Sequence, residues 1–206
     1  MHLETTLFPT KGNLIIAKNT LALSEKGYEL LDKKRNILVT EMMGLISKAE
    51  EIQTKIDTTF QEAYRALQAA NMVIGIKTVE EIGLSIEEED QVEIKMRSIM
   101  GVEIPMVTLI RQNLKTQYGI DRTTIALDEA YSKFEKVKHL SLELAEYENA
   151  IYRLALNIKQ AQKRANALMN IMIPRYERLT KDIQNALEEK EREEFTRLKM
   201  IKKNKK

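Results

Sequence analysis

Apolar residues recur at heptad spacing along both ends of the chain. Counting by sevens from Leu14 gives Leu14, Leu21, Tyr28, Arg35, Met42, Ala49, Ile56, Ala63 and Ala70. The set three residues later runs Ala17, Ser24, Leu31, Leu38, Leu45, Ile52, Thr59, Ala66 and Val73. Near the other end, Ala130, Val137, Leu144, Ile151, Ile158, Ala165, Met172, Leu179 and Ala186 repeat in the same way. Two apolar positions per heptad form a stripe that a helix cannot bury alone. A second helix must cover it, and a left-handed supercoil keeps the stripe facing that partner. The pattern predicts a mainly α fold: a long antiparallel two-helix left-handed coiled coil formed by the N- and C-terminal helices.

Boundary signals divide the chain into three segments. Thr10, after Pro9, is placed to cap the first helix by accepting from a first-turn N–H. No proline follows until Gly75 ends the helix near Ile74, so residues 1–74 form the first segment. At the α-helical rise this helix is roughly 95 Å long. Gly12, Gly27 and Gly44 lie inside it, either as points of close backbone approach or as tolerated costs of about 1 kcal/mol each. Residues 75–126 hold four of the seven glycines. Gln91 to Met96 alternates with period two, Val102-Glu103-Ile104 continues the pattern, and Pro105 marks an edge or an end. This predicts a small β-hairpin or meander at the tip of the helical pair. Glu87-Glu88-Glu89-Asp90 reads as a solvated turn or charged helix tip, because four consecutive acids do not converge on one cation.

Residues 127–206 form the third segment, a helix of roughly 110 Å ending in a basic tail. Pro174 interrupts it and predicts a kink or local break. The apolar frame also slips by one residue there. Leu140, Tyr147, Leu154, Ala161 and Leu168 precede the slip; Met169, Tyr176 and Ile183 follow it. That slip fits a changed winding beside Pro174.

Composition agrees with an extended helical chain. Of 206 residues, 31% are charged and only 5% aromatic, with no Trp and three prolines; a thin core under much surface needs this balance. Cysteine is absent, which excludes disulfides and thiolate metal sites and fits a reducing cytosol. The N-terminus lacks a signal-peptide pattern, and no apolar run approaches a membrane span. Net charge is +2, yet the last ten residues carry six bases and no acid, so the rest is near −4. A near-neutral body argues against a dedicated nucleic-acid binder.

Catalytic signatures are missing. There is no phosphate loop, dinucleotide fingerprint, zincin helix or nucleophile elbow. The only histidines, His2 and His139, lie far apart in sequence, so no His–His ligand pair exists at helical spacing. Catalytic residues, cofactors and metals are therefore expected to be none. Carboxylates mostly sit four residues from a base, as in Glu29–Lys33 and Glu193–Arg197, which supports helices. Basic residues carry more interest. Arg35 falls in the apolar seam, where a charge can fix register. Lys33, Lys34 and Arg35, with Lys163, Arg164, Arg175 and Arg178, form either a basic collar for an acidic partner or a solvated face.

Several segments resemble the D subunit of the V-type/A-type rotary ATPases. They are Pro9-Thr10-Lys11, Lys26 to Arg35 (KGYELLDKKR), Met100 to Pro105 (MGVEIP), Lys163 to Leu168 (KRANAL) with Ile173-Pro174, and Glu191 to Lys199 (EREEFTRLK). They span the chain in order. The chain departs from the family pattern with an acid, Asp32, where a lysine is usual, and with Met169 where a glutamate is usual.

The resemblance implies a central rotor shaft, not itself an enzyme. Its termini would enter a hexamer of catalytic and regulatory subunits, with the basic residues named above as hexamer contacts. Its middle would meet the small F subunit of the rotor and the adaptor on the proteolipid ring, with Met100, Val102, Ile104 and Pro105 as contact candidates. The implied partners include no nucleic acid, and the resemblance implies no direct membrane insertion of the chain. The implied location is cytoplasmic, peripheral to the membrane through the complex. A prefoldin-like coiled-coil chaperone is the alternative, disfavoured by the charged chain end.

Overall fold

In the computed structural model, residues 8–86, 92–109 and 123–204 are described. The acidic run Glu87-Glu88-Glu89-Asp90, Gln91 and the last two lysines lie outside them. The elements are α1 (Lys11–Ile74), α2 (Ile76–Leu84), β1 (Val92–Ile99), β2 (Val102–Leu109), α3 (Ile125–Ala167) and α4 (Ile173–Asn204), with a π-helical turn at Leu168–Met172 joining the last two. Contacts group the chain into two compact units, Met1–Asn36 with Lys159–Lys206, and Ile37–Ile158.

The heptad positions are the buried ones. In the two N-terminal sets and the C-terminal set, every residue but Val73 is buried or half-buried. α1 begins as predicted: the Asn13 amide donates to Thr10 Oγ1 at 3.2 Å, and the Asn13 side chain donates back to the Phe8 carbonyl at 2.8 Å. It stops at Gly75, whose φ of 94° is a conformation L side chains avoid.

In the unit 37–158, α1 and α3 run antiparallel. Tyr64 meets Phe134 edge-on at 5.6 Å, and Ala70 packs on Leu127. The helix α2 is not among the predicted elements. Its Val79 and Ile82, one turn apart, pack against the Ala70–Leu127 cluster, so α2 closes that end of the core. Ile76, Val79 and Ile82 recur at helical spacing, a signal that a strand search across this region overlooks.

The hairpin forms, with a more specific location than a tip. β1 and β2 pair antiparallel from Val92↔Leu109 to Ile99↔Val102. Met100 and Gly101 make the two-residue turn, both at positive φ (51° and 77°), as a type I′ hairpin requires. Val102 and Ile104 pack on Leu38, Ala150 and Leu154. The hairpin is therefore folded back along the helices, away from the Ala70–Leu127 end. β2 also runs through Pro105 to Leu109. The Val107 amide donates to Glu146 Oε2 at 2.7 Å, and Arg153 Nη1 donates to the Glu103 carbonyl at 3.2 Å. Residues two apart in a strand point their backbone groups the same way. Pro105, between Glu103 and Val107, thus has its missing N–H on β2's outer edge, where β1 does not need it.

In the unit 1–36 with 159–206, α1 again runs antiparallel to its partner. Arg35 reaches Gln162, Gly27 lies opposite Leu168, and Lys11 pairs with Glu191. The one-residue slip in the apolar frame is absorbed by the π turn. Ile173 N–H donates to the Leu168 carbonyl five residues back, which inserts one residue into the winding. Leu154 and Ala161 are buried before the turn and Ile183 after it, so both frames face inward. The helix continues through Pro174 rather than breaking.

Candidate interaction surfaces

Arg35 is held inside a polar network. At a seam position its backbone faces the partner helix, and its side chain remains 29% exposed. Nη1 donates to Gln162 Oε1 at 2.6 Å, and Nη2 pairs with Asp32 Oδ1 at 2.7 Å. Asn36 Oδ1 accepts from Nε and Nη2, and Gln162 Nε2 donates on to Asn166 Oδ1 at 2.7 Å. The chain of contacts links Asp32, Arg35, Gln162 and Asn166 across two helices. A planar guanidinium satisfied by fixed partners specifies one register. Within the chain, Asp32 balances the charge of Arg35 and Gln162 accepts from its Nη1.

The other bases divide into two levels. Lys163 and Arg164 directly follow Gln162 and are exposed, at the level of exposed Lys33 and half-buried Lys34. Among the described residues none of these four has an ion pair. Arg175 and Arg178 are also exposed, but they lie on α4, roughly 16 and 21 Å from Arg164 along the helix. Lys33, Lys34, Lys163 and Arg164 therefore make one basic band, and Arg175 and Arg178 belong to a separate level.

The hairpin candidates differ in exposure. Val102 is 3% exposed and Ile104 6%, both inside the chain's own core, and Pro105 is buried. Val102 and Ile104 hold the hairpin to the helices. Met100 stays accessible at 47%. The accessible apolar residues of the hairpin are instead Ile94, Met96 and Met106. Alternation in β1 is legible in the sequence, but which of its residues lack cover depends on where the hairpin folds.

A further surface is not among the predicted sites. From Glu188 to Asn204 every residue of α4 is exposed. The ion pair between Lys11 and Glu191, at 3.1 Å, marks where α1 begins beside it. Beyond it Phe195, Leu198, Met200 and Ile201 are 54–69% exposed. Phe195, Leu198 and Ile201 recur every three residues and so cluster on one side of the helix. The sequence signal is present: apolar residues on a helical stretch that has outrun its partner's start.

No group of His, Asp or Glu among the described residues converges as a metal site, and no described helix is long and apolar enough to cross a membrane.

A family profile for the D subunit of ATP synthase matches residues 13–203. The chain is 45% identical to the V-type ATP synthase D subunit of Thermotoga neapolitana, covering 94% of this chain and 96% of that protein. It is 39% identical to the A-type ATP synthase D subunit of Methanobrevibacter smithii, covering 94% and 85%. Against the A-type ATP synthase D subunit of Pyrococcus horikoshii it is 35% identical, covering 94% and 92%.

Proposed function

The chain belongs to the family of ATP synthase D subunits, and from that premise we propose that it is the central shaft of a V/A-type rotary ATPase. It carries torque between ATP hydrolysis or synthesis in a catalytic hexamer and ion translocation by a membrane ring. It does no catalysis itself. Its partners are the catalytic and regulatory subunits, the small F subunit of the rotor and the adaptor on the proteolipid ring. Its place is cytoplasmic, peripheral to the membrane through those partners. Membership in this family displaces the chaperone alternative.

The observation that carries the assignment is the exposed end of α4. A helix that outruns its partner with Phe195, Leu198 and Ile201 exposed needs an external wall around it. The interior of a hexamer is such a wall. Lower down, the band of Lys33, Lys34, Lys163 and Arg164 suits a moving contact. Charged side chains exchange partners with little packing loss, whereas buried aromatic anchors would hold one position. The Arg35–Gln162 lock supports the same role, since a shaft loaded in torsion must resist sliding of one helix past the other.

The test is charge reversal at Lys33, Lys163 and Arg164 in the assembled complex. Lower ion transport per ATP, with unchanged thermal unfolding of the isolated chain, is expected. Wild-type coupling in the triple variant would refute the role of the band.

A further inference from the structure

Among the described residues, the two-stranded sheet has one edge occupied and one bare. β2's outer edge is taken by Glu146 and Arg153. By register, Val107 stands opposite Ile94 and Glu103 opposite Ser98. Because the Val107 and Glu103 groups point outward, those of Val92, Ile94, Met96 and Ser98 point outward on the other side. Among the described residues nothing outside the hairpin bonds to them, and every side chain from Glu93 to Ser98 is exposed. A bare edge is a template for another strand.

We propose that this edge is self-complementary, pairing β1 of one copy with β1 of a second in antiparallel register centred on Lys95. The free chain thereby forms a dimer with a four-stranded sheet. This register places Val92, Ile94, Met96 and Ser98 opposite Ser98, Met96, Ile94 and Val92 of the second copy. All are outward-pointing, so each N–H meets a C=O in a hydrogen-bonded pair. On one face Ile94 meets Met96 of the other copy, twice, and covers side chains now 63% and 55% exposed. On the opposite face Glu93 meets Arg97 of the other copy, twice. Arg97 has no ion pair of its own among the described residues.

The two lysines at the axis repel, and each is offset by Glu93 of its own strand at 3.4 Å. Centring on Ile94 instead shortens the overlap and leaves Arg97 without Glu93. The two-fold match of charge and apolar side chains selects a second copy of this chain over an unrelated strand. The inference does not rest on the shaft assignment.

Sedimentation of the full-length chain over a concentration series at low salt tests it. A reversible monomer–dimer equilibrium is expected. Arg97→Glu turns two attractions into two repulsions and raises the dissociation constant about 10-fold. Adding Glu93→Arg to it reverses both signs and restores the wild-type constant to within about threefold. Ile94→Pro deletes an outward N–H and weakens the dimer without touching the β1–β2 ladder. A chain monomeric at every concentration overturns the proposal, as does a dimer indifferent to Arg97→Glu or unrescued by the double variant.

Discussion

Met100 occupies the left-handed region at φ 51° without being glycine, asparagine or aspartate. A side chain there costs about 1 kcal/mol, and the first position of a type I′ turn favours Asn. Met100→Asn is therefore expected to stabilise the hairpin by about 0.5–1 kcal/mol, read as a higher urea midpoint with unchanged slope. Two glycines of α1 and its boundary behave oppositely. Gly44 has open space around its missing Cβ, so Gly44→Ala gains about 0.5–1 kcal/mol of helix propensity. Gly75 sits at φ 94°, so Gly75→Ala loses about 1 kcal/mol or more. Equal midpoints for the two variants would contradict the assignment. Tyr147 supplies a pH signature. Burial, then Glu143, holds its phenol above the usual tyrosine value. The neutral ring is favoured in the folded chain, so that contribution is complete below the unfolded tyrosine pKa and is lost as pH rises through the folded one. A difference titration against Tyr147→Phe finds this ring ionising later than free tyrosine.

At the level of elements, the π turn has a testable cause. It inserts one residue between the frame of Leu154 and Ala161 and the frame of Ile183. Deleting Asn170 brings the two frames into one heptad repeat, and Pro174→Ala removes the obstacle to an α-helical path. The double change is expected to keep the unfolding midpoint within about 1 kcal/mol of wild type. Deleting Asn157 instead, with no slip to repair, rotates every later seam residue outward and unfolds the unit. Glu146 and Arg153 make a second case. Glu146→Ala frees the Val107 amide, whose hydrogen exchange accelerates while the α3 amides keep their protection. The heptads, the Thr10 cap, the Gly75 stop, the strands and the one-residue slip are legible in the sequence because each depends on neighbours along the chain. α2, the folding back of the hairpin and the capture of Arg35 are not. Those depend on which distant groups are vacant: Leu38 and Leu154 for Val102 and Ile104, Gln162 for Arg35. Val102 and Ile104, contact candidates by resemblance, consequently lie in the core of the chain.

For the whole molecule, the family assignment rests on residues 13–203, while the shaft role rests on surfaces: the exposed α4 end and the basic band. The most direct measurement exploits the absence of cysteine from this chain. A single Leu198→Cys, with one cysteine on the inner wall of the catalytic hexamer, allows one disulfide between the proposed shaft and its housing. Steady-state ATP hydrolysis is then measured before oxidation, after oxidation and after reduction. A rotating shaft predicts that hydrolysis stops in the cross-linked fraction and returns on reduction. Hydrolysis continuing at the uncross-linked rate with the disulfide intact would contradict it.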